Sequence, residues 1–274
     1  MEPQLQRRVQ RYGWDKAAKY YDDSWKLQLK PAQDKLLEMA DLQPGEKVLE
    51  TSCGTGLVTL RAARRVAAGG EVIATDISEK MIDEAKKLTN ENSSSNIEFR
   101  RMDAEQLDFE ENRFDAAICS LGLMYFPFPA EALKEMHRVL KPGGRAVAAV
   151  WGERKNCGWA ELFPIVDKRV ASDVCPMFFQ QGTGDTLRNS FQSAGFDKIS
   201  VERMNVSLNY PDDKIALMAA FDGGAVALAY QKFDEQTKEE IHKEYLDSIS
   251  QFRNGKGYDI PGEFVVAKGI KPKS

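Results

Sequence analysis

Between residues 32 and 151, short apolar runs and helical patterns alternate, and this alternation most narrows the folds open to the chain. The runs 48–50, 71–76, 97–102, 114–120 and 145–151 are largely apolar or β-branched, as strands buried on both faces are. Segments 57–67, 79–89 and 130–140 carry helical periodicity. Strands that alternate with helices line up in parallel, because each helix returns the chain across the sheet. Turn chemistry agrees: "QPGEK" precedes the first strand, "AAGGE" the second and "LKPGGR" the fifth. The expected core is an α/β parallel sheet with helices on both faces.

Two segments lie outside that core. The N-terminal "RYGWDKAAKYYDDSWKLQLKP" is aromatic-rich and reads as helical, a cap over 1–31 on a main domain over 32–274. After residue 151 the pattern changes. "GTGDTLRNSFQSAGF" reads as a helix ending at Gly195, followed by a strand over 198–208. A helical stretch over 212–252, broken at "DGG", reads as an insertion serving as a lid or a dimer surface. The last strand is expected over 263–268, and "NENSSSN" at 90–96 as a polar loop.

Composition excludes several function classes. Lys and Arg number 38 against 42 Asp and Glu, a formal net charge of −4, whereas a dedicated nucleic-acid binder should be basic. The cysteines, Cys53, Cys119, Cys157 and Cys175, form no CxxC pair, and His137 and His242 are the sole histidines, so no metal site is expected. Scattered single cysteines, the lack of an apolar leader and the lack of a membrane-length apolar run point to the cytoplasm. Oligomeric state stays open, a homodimer included.

The stretch "VLETSCGTGLVTL" carries the chemistry. Its glycines sit between an expected strand and helix, where open α/β sheets bind ligands. Asp76 follows Gly56 by twenty residues, at the end of the second strand, placed to grip ribose hydroxyls. A dinucleotide dehydrogenase would need G-x-G-x-x-G, but the third glycine position is Thr59. Glu50, just before the loop, suits a cationic ligand better than a pyrophosphate. S-adenosyl-L-methionine (SAM), with a sulfonium and an ammonium group, meets that requirement.

The segments "VLETSCGTG", "VIATDIS", "FRRMDAEQLDF", "FDAAICSLGLMYF" and "EALKEMHRVLKPGGRAVAAVW" occur in the order seen in class I SAM-dependent methyltransferases. The chain most resembles the small-molecule subgroup that includes quinone-biosynthesis methyltransferases, strongly over 45–151 and again at "YDIPGEFVVAKGIK". The resemblance implies a Rossmann-like, mostly parallel sheet of seven strands whose last strand is antiparallel. It implies SAM as cofactor, S-adenosyl-L-homocysteine as product, and a small-molecule methyl acceptor. It places Glu50, Ser52, Gly54 and Gly56 at the methionine end and Asp76 at the ribose. Ile77 falls beside the adenine with Met81, Asp103 and Ala104 at the adenine amino group, and Ser120 and Leu121 beside the sulfonium. Ser52 departs from the pattern, where glycine or alanine is usual.

Methyl transfer from a sulfonium needs alignment and a water-free site more than a base. Neither histidine is placed to act as one: His137 lies two turns into the helix before the fifth strand, and His242 in a charged helix expected to be solvated. The catalytic residue is left unassigned. Tyr20 and Tyr21, Tyr125 and Phe126, and Trp151 are the candidate walls of a pocket for a partly apolar acceptor. The alternative reading is a protein that binds SAM without transferring methyl.

Overall fold

The computed structural model describes residues 2–91, 95–170, 175 and 177–273. Part of the 90–96 loop therefore lies outside the described residues. Five strands run parallel: β1 (Lys47–Thr51), β2 (Glu71–Asp76), β3 (Ile97–Arg101), β4 (Phe114–Ser120) and β5 (Leu140–Trp151). Three more follow, β6 (Asp197–Tyr210), β7 (Arg253–Asn254) and β8 (Gly257–Ile270). The order across the sheet is β3-β2-β1-β4-β5-β8-β6, with β8 antiparallel to both neighbours and the two-residue β7 hairpinned onto it. The parallel sheet and antiparallel last strand agree with expectation; β7 is an addition too short to leave a sequence pattern.

The centre of the sheet is buried on both faces, which is why its strands read as unbroken apolar runs. Ala116, Ala117, Ile118 and Cys119 of β4 are all wholly inaccessible. The helices α1 (Pro3–Trp25), α2 (Lys30–Ala40), α3 (Thr59–Val66), α4 (Glu79–Glu91) and α5 (Pro129–Val139) come first. α5 shows the shared logic: it buries Ala132, Leu133, Met136 and Val139, at helical spacing, and turns Glu131 and Lys134 to water. Then come α6 (Leu162–Asp167), α7 (Thr186–Ser193), α8 (Asp213–Leu217), α9 (Ala227–Tyr230) and α10 (Glu235–Ile249), with a π-helical turn at Met218–Asp222.

Three strands differ in length from expectation. β5 begins at Leu140, because Leu140 pairs with Phe114 and "KPGG" then bulges out, with Gly143 at φ +82, before pairing with β4 resumes at Arg145. β6 and β8 pair over twelve residue pairs, beyond the edge of the parallel sheet. Gly257, Pro261 and Gly262 hide the first half of β8 from a propensity reading, yet that half pairs with β6 and β7 alone. A proline is tolerated there because its missing N–H faces no ladder on the other side. The boundary expected at residue 31 falls in the first turn of α2.

Candidate active site

Each parallel strand ends in one of the expected site segments, and the reversal of strand order between β1 and β4 opens a crevice there. After β1 the chain passes through Ser52 at φ +54, Gly54 at +55 and Gly56 at +85 before entering α3. The left-handed conformation of Ser52 gives a physical reason for the glycine usual at that position. The two glycines do different work. No atom lies within 4 Å of where a Gly54 Cβ would stand, so that backbone is open to a ligand. A Gly56 Cβ would lie 3.1 Å from Ala85 Cβ. Gly56 packs the loop onto α4 and lines neither of the two cavities described below.

The acidic groups are held tightly. Asp76, 7% exposed, accepts the Gly54 N–H at 2.9 Å and the Ser78 N–H at 2.8 Å. Burial still outweighs those bonds and pushes its carboxyl up to about 6. Glu50 is 1% exposed, and its Oε2 has no hydrogen-bond partner. Burial, with Asp76 adding repulsion, pushes it up to about 8. Asp103 accepts the Glu105 N–H at 2.9 Å and is ion-paired to Arg7 at 2.9 Å. After β4, Leu121 is held at φ +60, a strained conformation for a branched side chain. A Gly122 Cβ would stand 2.4 Å from Ser52 Cβ, so the β1 and β4 loops touch.

These loops floor a cavity of about 1050 Å³, its open mouth included. Ser52, Gly54, Asp76, Ile77, Met81, Asp103, Ala104, Ser120 and Leu121 line it, as do Tyr21, Tyr125, Phe126 and Trp151. A smaller pocket of about 290 Å³ shares Tyr21, Ser52, Gly54 and Ser120 with it and is lined further by Glu50. Tyr20 is in neither: it lies beneath Lys19, whose Nζ sits 4.5 Å from its ring centre. The helical twist turns it away from its neighbour Tyr21, which lines both.

The residues sequence reasoning missed are mostly aromatic. All four tryptophans of the chain line the one cavity: Trp14, Trp25, Trp151 and Trp159. Trp25, Trp151 and Trp159 meet with ring centres 4.8–6.1 Å apart, and Phe178 joins Trp159 at 5.6 Å and Tyr125 at 5.4 Å. Trp14, Tyr21 and Trp25 follow helical spacing on α1 and were legible as one face; Trp159 and Phe178 sit in turns with no periodic signal. The 212–252 segment reaches the cavity through Gly224 and Ala225, and Trp25 Nε1 donates to the Gly223 carbonyl at 3.1 Å.

Both histidines stand outside the cavity lining. His137 packs edge-on to Phe196 at 5.0 Å, and burial lowers its pKa. His242 is half-buried rather than solvated, with Nε2 3.0 Å from the Tyr230 hydroxyl and its ring against Phe221. His137→Ala is expected to leave turnover within a few-fold of wild type. A loss beyond tenfold in a folded variant, measured as kcat, would give His137 a part in the reaction. Among the described residues no group of His, Cys, Asp and Glu could hold a metal ion.

Comparison with known proteins fits this geometry. Residues 48–144 match the family described as "Methyltransferase domain". The ubiquinone/menaquinone biosynthesis C-methyltransferase UbiE of Pseudomonas paraeruginosa is 30% identical over 183 residues, covering 61% of this chain and 72% of that one. Its counterpart in Pseudomonas fluorescens is 28% identical over 187 residues, covering 63% and 73%. The fold is shared with a methyltransferase from Bacillus halodurans, with TM-score 0.59, 21% identity and coverage of 88% and 98%. It is also shared with the Haemonchus contortus phosphoethanolamine N-methyltransferase 2, with TM-score 0.61, 17% identity and coverage of 94% and 57%. The chain belongs to the class I SAM-dependent methyltransferases. Its cofactor is SAM, and the residues at the strand ends fit it: an open Gly54, a buried Asp76 carboxyl at the end of β2 and a buried Glu50 carboxyl with one oxygen unpartnered.

Proposed function

We propose that the enzyme transfers the SAM methyl group to an O, N or C atom of a small, partly apolar molecule. The observation that carries this is the gathering of all four tryptophans around one cavity that opens on the cofactor loops. In this reading Glu50 and the Gly54 backbone hold the methionine end, Asp76 the ribose, Asp103 the adenine amino group and Ser120–Leu121 the surroundings of the sulfonium. The aromatic walls orient the acceptor in line and exclude water, which is most of what a sulfonium displacement requires.

SAM supplies the methyl group and the leaving group together. Tyr21 and Tyr125 line the cavity as candidate bases, and burial pushes both phenols up. An acceptor that arrives already nucleophilic suits this site better than one awaiting deprotonation. The relatives that methylate carbon in ubiquinone and menaquinone biosynthesis make an activated ring carbon the first acceptor to try. We place the reaction in the cytoplasm, where the four free cysteines would stay reduced. No helix among the described residues is long and apolar enough to cross a membrane.

The test is methyl-labelled SAM, purified protein and cell extract, fractionated into protein, nucleic acid, lipid and small polar molecules. Label is expected in the lipid or small-molecule fraction. Label in nucleic acid or protein would overturn the proposed acceptor class.

A further inference from the structure

We propose that Arg7 is a positioning residue for the cofactor, holding the Asp103 carboxylate where it accepts from the adenine amino group. This rests on the assignment of Asp103 to adenine made above. Three charged side chains of α1 each reach the loop at one strand end. Asp22 accepts from Thr55 Oγ1 at 2.5 Å after β1, and Asp15 from Ser78 Oγ at 2.7 Å after β2. Arg7 meets Asp103 and Glu105 after β3. The three stand eight and seven residues apart, about two helical turns each, so α1 lies across the ends of β1, β2 and β3 in their order in the sheet.

Two of these contacts join α1 to loop hydroxyls and need do no more than dock the helix. Arg7 instead sits between two carboxylates. Its Nε donates to Glu105 Oε2 at 2.7 Å and lies 2.9 Å from Asp103 Oδ2. Asp103 Oδ1 accepts the Glu105 N–H at 2.9 Å, so each oxygen of that carboxylate has one fixed partner. Glu105 is fixed in turn through Oε1, which accepts the Phe128 N–H. A carboxylate oxygen takes more than one hydrogen bond, so Asp103 keeps capacity for an amino group of the ligand. Arg7, Asp103, Ala104 and Glu105 all line the cavity, as do Ile77 and Met81.

Without the guanidinium, Asp103 and Glu105 would face each other with no cation between them, and Glu105 already feels the repulsion of Asp103. The Glu105 side chain, 4% exposed, is enclosed, whereas that of Asp103, 31% exposed, is free to turn to solvent. Asp103 would swing outward and leave the amino group unpaired. That loss is felt by a ligand carrying the amino group and not by one with an oxygen in its place. An arginine that only docked the helix would affect both ligands alike, and Asp15 and Asp22 would still hold α1.

Calorimetric titration of the full chain with S-adenosyl-L-homocysteine and with S-inosyl-L-homocysteine, whose ring carries an oxygen in place of the amino group, tests this without turnover. The wild type is expected to prefer the adenine ligand by about tenfold or more. Arg7→Met, which keeps the length of the side chain, should weaken the adenine ligand about tenfold and the inosine ligand less than about threefold, so that most of the preference is lost. Arg7→Lys, which returns the charge, should recover part of it, and Arg7→Gln serves in place of Arg7→Met if that chain fails to fold. A wild type that binds both ligands alike would remove Asp103 from the adenine and overturn that assignment together with the role of Arg7. A wild type that discriminates, with an undiminished preference in the folded variant or none recovered by Arg7→Lys, would overturn the role of Arg7 alone.

Discussion

Replacing Asp76 with alanine is expected to weaken SAM binding at least tenfold, about 1.4 kcal/mol. Two losses combine. In the proposed site the carboxylate accepts from ribose hydroxyls, and it also anchors the loop through the Gly54 N–H. Without that anchor the left-handed turn through Ser52 and Gly54 loses a charge-assisted hydrogen bond and some of its preorganisation. Calorimetric titration of SAM into the folded variant measures the effect. An unchanged affinity would move the ribose away from Asp76.

Glu50→Gln should produce two effects of opposite sign. The carboxyl keeps its proton to about pH 8 in the folded chain, against an ordinary value of 4.5. Its folded-state value is thus raised, so its contribution to stability is complete below about 4.5 and is lost as pH climbs through 8. Asp76 behaves alike between 3.8 and about 6. The cofactor-free wild type should therefore lose stability from mild acid to mild base, Glu50 accounting for on the order of 3 kcal/mol. Glutamine removes its share, so the pH dependence of the melting temperature should flatten. SAM affinity should fall at the same time, because the ammonium loses its counter-charge. In the wild type, SAM binding below pH 8 should release a proton, read as a buffer-dependent binding enthalpy. A variant that keeps both the affinity and the pH slope would remove Glu50 from the site.

The strand-end loops of the candidate site were legible because each of them is local. A strand, a turn and a helix start lie within a dozen residues, so Gly54, Asp76 and Ser120 could be placed by counting along the chain. What counting could not separate was the direction each residue faces. Gly54 and Gly56 look equivalent in sequence, yet one is open and the other rests on Ala85. Tyr20 and Tyr21 are neighbours about 100° apart around a helix, and Tyr21 alone of the two lines the cavity. The acceptor half was mostly hidden, because Trp159, Phe163 and Phe178 come together only when the segment after β5 folds back over α1. The first half of β8 was hidden too, since pairing with β6 overrides its glycines and proline.

The arrangement of the cavity walls bears on how such an enzyme changes over generations. The donor loops all fall within 50–121, on strand ends that the core of the sheet holds rigid. The opposite wall is assembled from α1, the turns around Trp159 and Phe178, and Gly224–Ala225, none of which belongs to a strand. In the proposed site, substitutions on that wall reshape what is methylated while leaving the methyl source untouched. Two chains with near-identical strand-end loops can therefore serve unrelated acceptors, and kinship of acceptors is better judged from 10–25 and 151–178 than from the glycine loop.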